Sequence, residues 1–274
     1  MAQIFQRLLL ATERTEFDAG AERVALALAQ RCQRALGVVM PLASNAEYEA
    51  VAPQLAAQAD RDAAARLQPL REQARSAGVA IELRVRRGAD AWREIVEDAQ
   101  ERGADLLVIR RRGRRGFLAR MLVGEMVTQV IGVAPCSVLV VPRDAGLWTR
   151  RVLLAAEPGA AGEQSLSLAV AVAAECALPL CVLGLGVGDG DAAARRRAEA
   201  FIASAQQRGT LCGVATEGEV LSGSTAAPVL EAARRQGVDL LIMARGELAH
   251  QVTGQAECAV LLTLDPTSKK DAST

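Results

Sequence analysis

The 274-residue sequence is poor in several residue types on which whole function classes depend. Aromatics make up 3% of it, so a core has to come from Ala, Leu and Val, which suits helices packed on a parallel sheet. The same scarcity removes the stacking platforms of a single-strand nucleic-acid binder. The one histidine, His250, argues against a zinc centre or a Ser-His-Asp triad. No apolar run reaches 18 residues, and Met1 to Arg7 lacks the charged and apolar regions of a secretory leader. The expectation is a cytoplasmic protein without membrane contact. None of the six cysteines forms a C-x-x-C pair, and most lie in apolar runs, as buried thiols in a reducing compartment do. Neither a Walker A sequence nor a G-x-S-x-G nucleophile elbow occurs, so enzymatic chemistry finds no footing.

What is present is apolar and balanced. Hydrophobic residues reach 51%, and the formal net charge is zero, which argues against a general binder of nucleic acid or membrane surface. The balance conceals a split. Residues 1–147 carry 21 arginines against 18 acids, and residues 148–274 carry 11 basic against 14 acidic side chains.

The chain repeats itself. Arg7-Leu8-Leu9-Leu10-Ala11-Thr12-Glu13 returns as Arg151-Val152-Leu153-Leu154-Ala155-Ala156-Glu157. Gly103-Ala104-Asp105-Leu106-Leu107-Val108-Ile109 returns as Gly237-Val238-Asp239-Leu240-Leu241-Ile242-Met243. Ala134-Pro135-Cys136-Ser137-Val138 returns as Ala256-Glu257-Cys258-Ala259-Val260. Five apolar runs alternate with helical stretches in each copy, the pattern of βαβ units and a parallel sheet. This predicts an α/β protein of two tandem five-stranded parallel open sheets with flanking helices. The domains expected are residues 1–143 and 150–266, followed by a tail at 267–274. Asp144 to Trp148 reads as the linker, with Trp148 sealing the interface between copies. The second copy is shorter by 12 residues between its fourth and fifth strands, in the interval that holds a glycine–arginine loop and its helix in the first. What remains there has room for two helical turns at most.

That loop runs Arg110-Arg111-Arg112-Gly113-Arg114-Arg115-Gly116 and reaches Gly124-Glu125 seven residues later. It lies between a buried-strand pattern and a helical one, where an α/β fold cradles phosphate with backbone N–H groups and positive charge. Arg110 stands where a glycine would be expected. Glu125 sets a carboxylate at the helix start, where it can fill the anion position itself. The arginines read equally as a solvated basic surface.

Together these motifs resemble the universal stress protein family. The resemblance rests on Ala11-Thr12-Glu13 closing the first strand, Val85-Arg86-Arg87-Gly88, Asp105 to Ile109, and Ala134-Pro135-Cys136 leading into Val138 to Val141. It covers about 260 residues, more weakly in the second copy. It implies strand order 3-2-1-4-5 and dimer-like pairing through the last strands. In the nucleotide-binding branch the loop reads G-x-x-G, nine residues, then G-[ST]. Here Arg110 replaces the first glycine, Gly113 is the second, ten residues precede Gly124, and Glu125 replaces the hydroxyl residue. By resemblance Glu13, Gly113, Arg114, Gly116, Gly124 and Glu125 line a site for an adenine nucleotide or anion, with ATP and magnesium the cofactors implied. The second copy lacks this loop.

The function expected is a stress-response protein that works by binding, with at most one degenerate site, in the first copy. The alternative is an ATP-binding sensor with slow ATPase activity, Glu13 or Glu125 serving as base. The partners expected are the two copies for each other and a second chain in a homodimer, not nucleic acid.

Overall fold

The computed structural model describes residues 4–44, 51, 53–111, 124–188, 190–223 and 225–264. These residues form two compact units that divide between Leu147 and Trp148.

The first unit runs β1 (Leu8–Ala11), a 3-10 turn (Glu16–Asp18), α1 (Ala19–Cys32), β2 (Leu36–Ala43), α2 (Pro53–Ser76), β3 (Ile81–Gly88), α3 (Ala91–Glu101), β4 (Leu106–Arg110), α4 (Glu125–Val133) and β5 (Ser137–Val141). The second runs β6 (Val152–Ala156), α5 (Ala160–Cys176), β7 (Leu180–Val187), α6 (Ala192–Leu211), β8 (Thr216–Ser222), α7 (Ala226–Arg235), β9 (Leu240–Ala244), α8 (Glu247–Gln255) and β10 (Ala259–Thr263).

Within the first unit the strands lie in the order β3-β2-β1-β4-β5, and within the second β8-β7-β6-β9-β10. Neighbouring strands within each unit run parallel. The central strands are continuous apolar runs: Leu8, Leu9, Leu10, Leu106, Leu107 and Val108 are all buried. Only strands covered on both faces read this way. The order reverses between β1 and β4, so a crevice opens there at the carboxyl ends of the strands.

Both copies are fastened at the opposite end by an aspartate, which explains the repeated G-x-D. The Asp105 carboxylate accepts from the backbone N–H of Gln6 at 2.7 Å and of Arg7 at 3.1 Å. Asp239 accepts from Thr149, Arg150 and Arg151 at 2.7, 2.9 and 3.1 Å. Each aspartate thus satisfies the free donors of the segment entering the first strand of its copy. Trp148, expected at an interface between copies, is buried, and its Nε1 donates to Cys176 Sγ at 3.2 Å.

The 12-residue difference between the fourth and fifth strands falls in the loop alone. Helices α4 and α8 each span nine residues. The two-turn limit expected for the second copy was too short, because the shortening takes the loop and leaves the helix whole.

Gly20 makes a close approach possible in the first unit. A Cβ there would meet Pro142 O at 2.0 Å and Arg143 O at 2.7 Å. Helix α1 therefore lies directly on the chain leaving β5, where Arg23 also donates to Arg143 O and Ala145 O, both at 3.1 Å. Gly132, inside α4, is exposed, with nothing within 4 Å of an added Cβ. Gly20→Ala should cost about 1–3 kcal/mol from overpacking. Gly132→Ala should add about 0.5–1 kcal/mol through helix propensity. Urea denaturation of both variants checks the pair; equal effects would refute the close approach.

Candidate functional site

The crevice between β1 and β4 is filled by charge. After β1 the backbone continues through Thr12, whose N–H donates to Val39 O at 3.1 Å, and turns at Arg14 with φ 57°. The left-handed turn is supported locally, since the Arg14 N–H donates to Thr12 Oγ1 at 2.9 Å. Thr15 then caps the 3-10 turn in a reciprocal box with Asp18, whose carboxylate accepts from Thr15 N at 2.8 Å and Thr15 Oγ1 at 2.7 Å. The sequence pattern T-x-x-D thus fixes a carboxylate at the mouth of the crevice.

Arg110, the last residue of β4, reaches across to that carboxylate. Its Nη1 donates to Asp18 Oδ2 at 2.9 Å and to Thr15 Oγ1 at 2.5 Å, and its Nη2 donates to Glu13 Oε2 at 2.6 Å. The Arg110 and Asp18 side chains are only 4% and 1% exposed, against 38% for Glu13. Such charge-assisted bonds are short and strong, and here they offset the cost of taking a guanidinium out of water. Arg110 Nε is buried without a hydrogen-bond partner among the described residues. The void left between Ala11, Thr12, Glu13, Asp18, Arg110 and Met126 measures about 10 Å³. That is room for roughly one water.

A second ion pair backs the first. Glu22, on α1, accepts from Thr12 Oγ1 at 2.7 Å and pairs with Arg14. Arg14 Nε also donates to Arg66 O of α2 at 3.0 Å, which ties the loop after β1 to both neighbouring helices. Burial pushes the Glu22 carboxyl above the usual range, opposed by the Thr12 hydrogen bond and the Arg14 charge.

Of the residues expected to line a nucleotide site, Glu13 is in this cluster. Gly124 is the N-cap of α4, and Glu125 is the first residue of that helix and is exposed. Gly113, Arg114 and Gly116 lie outside the described residues. What fills the crevice is a cation from β4, while the lining contributed by α4 is Met126. Sequence reasoning missed Thr15, Asp18, Arg14 and Glu22. The T-x-x-D box was a readable signal for the first two; nothing local marks the others.

Residues 4–142 match the family model described as the universal stress protein family. The chain belongs to that family. No curated protein matches it. Among solved structures, a universal stress protein from Archaeoglobus fulgidus DSM 4304 is similar at TM-score 0.73 and 16% identity, over 96% of this chain and 97% of that one. A protein of unknown function from Pseudomonas aeruginosa PAO1 is similar at TM-score 0.71 and 16% identity, over 97% of this chain and 94% of that one. At this identity the likeness shows the fold, and it extends over both copies.

The second half of this universal stress protein carries the same strands without the same charges. The last residue of β9, Ala244, pairs with Thr263 as Arg110 pairs with Val141. Ala244 therefore holds the place of Arg110. At a constant offset Leu166 holds the place of Glu22 and Ala156 that of Thr12, and both are buried. A buried Ser165–Thr263 hydroxyl pair, 2.6 Å apart, is the polar contact there.

The raised pKa of Glu22 makes stability depend on pH. Above the ordinary carboxylate value of 4.5, unfolded chains release this proton while folded ones still hold it. Stability is therefore fully present below 4.5 and falls as pH rises from there through the higher folded value. Glu22→Gln cannot titrate. Between about pH 4 and about pH 7 the melting-temperature difference should move in favour of the variant. A difference that stays flat with pH would contradict the assignment.

Proposed function

We propose that this universal stress protein acts in the cytoplasm by binding rather than by catalysis, and that Arg110 keeps the crevice of its first domain closed to adenine nucleotides. The observation that carries this reading is the buried guanidinium held by Glu13, Thr15 and Asp18, with about 10 Å³ left beside it. Small-ligand pockets measure roughly 300–1,000 Å³. A nucleotide would have to displace Arg110 and leave Asp18 buried without its partner, a loss of about 3–5 kcal/mol. No described helix is long and apolar enough to cross a membrane.

Titration calorimetry tests the closed crevice. Removing Arg110 alone strands Asp18, so the informative variant is Arg110→Gly with Asp18→Asn. The parent should bind ATP no tighter than about 1 mM, and the double variant should gain at least about tenfold. Glu125→Ser should gain less, because Glu125 is exposed rather than in the crevice. Tight ATP binding by the parent would overturn this reading in favour of the nucleotide sensor, with Glu13 and Glu125 as the groups to test for slow hydrolysis.

We also propose that the terminal strand of each domain's own sheet, β5 or β10, pairs with another strand, in the other domain or in a second chain. Each is a run of apolar residues at the end of its domain's strand order, and an open apolar edge invites aggregation. Residues 1–147 expressed alone should therefore dimerise or aggregate; a well-behaved monomer by sedimentation would refute the pairing.

A further inference from the structure

The amino ends of the strands in the first domain leave a second cleft, remote in the fold from the Arg110 crevice. It measures about 300 Å³ and is lined by Arg7, Leu8, Leu9, Gly37, Glu82 and Arg102 among others. Leucine and alanine side chains and the backbone at Gly37 line its interior. Its charged groups are unequal. Arg102 is committed through Nε to Asp98 at 2.7 Å and through Nη1 to Glu82 at 3.2 Å. Glu82 is 72% exposed, so that second tie is weak. The Arg7 guanidinium is exposed and makes no ion pair among the described residues. The Asp105 carboxylate nearby is already occupied by backbone N–H groups of Gln6 and Arg7.

The second domain carries different contacts at the same place. Arg151, the counterpart of Arg7, donates to Glu217 at 3.3 Å and to Gln236 at 3.1 Å. Gln236 stands for Arg102. Cys181 stands for Gly37, is buried, and hydrogen-bonds with Gln236. The same place thus carries a paired arginine in the second domain and, in the first, an arginine without an ion pair among the described residues. Gly37 is what keeps the floor open, since a Cβ there would lie 3.2 Å from Arg102 Nη1 and 3.3 Å from Leu9 Cδ1.

We propose that this cleft binds a small organic anion, a carboxylate or phosphate monoester bearing a short apolar group. The anionic head pairs with Arg7 and the free side of Arg102, and the apolar part lies on Leu8, Leu9 and the Gly37 floor. The volume is at the lower end of the small-ligand range, which excludes a nucleotide triphosphate.

Amide chemical-shift titration of the full chain decides this, with hexanoate, hexyl phosphate and inorganic phosphate as separate probes. Hexanoate or hexyl phosphate should give saturable shifts at Leu8, Gly37 and Ala104, and inorganic phosphate should bind at least about tenfold more weakly for want of an apolar part. Which of the two organic probes binds tighter identifies the head group. Arg7→Gln, on an exposed side chain, should weaken binding about tenfold without changing the melting temperature. Gly37→Cys, which installs the second domain's residue, should abolish it. No saturation by about 10 mM of either organic probe would overturn the proposal. Binding left unchanged by Arg7→Gln would overturn it too.

Discussion

The carboxyl ends of β1 and β4 meet where the strand order reverses, and a parallel sheet leaves a gap at such a point. In this chain the Arg110 guanidinium closes it. The choice has consequences on every side. Asp18 can be buried because Arg110 pairs with it, the 3-10 turn before α1 is held by that same carboxylate, and Glu13 is drawn in from the edge. Glu22 and Arg14 form the next layer, sharing Thr12 with the turn at Arg14. Remove the cation and the layers lose their reason to be charged. The second domain lacks these charged residues, with Ala244, Leu166 and Ala156 in the same places.

The two copies thus represent two solutions to one gap. Both retain the frame: the aspartate clamp on the first strand, the strand order, and the nine-residue helix before the last strand. They differ where ligands would enter. The first copy fills the carboxyl end with an ion-pair cluster and leaves the amino end open around Gly37. The second copy has lost the loop at the carboxyl end, and at the amino end it sets Cys181 and Gln236 beside Arg151. Buried ion pairs are a costly filler compared with apolar packing.

Much of the fold was legible because it is periodic. The apolar runs of β1, β4 and β5 and their copies are local patterns, and repetition doubled each signal. The Asp105 and Asp239 equivalence was visible as a repeated G-x-D before its clamp was known. Part of the site was legible as well: Arg110 as an anomalous residue after a strand, and Glu13 at the end of another. The reading of Glu125 as the occupant of the crevice came from its place beside a helix N-terminus, which is a local argument. The occupant came instead from a residue 92 positions away from Asp18 and 97 from Glu13.

The sequence by itself determined the α/β class, the duplication, the loss of the loop in one copy and the family, since all of these are written in spacing and hydrophobic period. Only the tertiary structure decided which charges meet. A guanidinium on a strand end can reach several neighbours, and burial selects among them by penalising every charge left unpaired. That selection depends on the gap between β1 and β4 and on the capping turn that aims Asp18 into it. Neither of these exists until the sheet has formed.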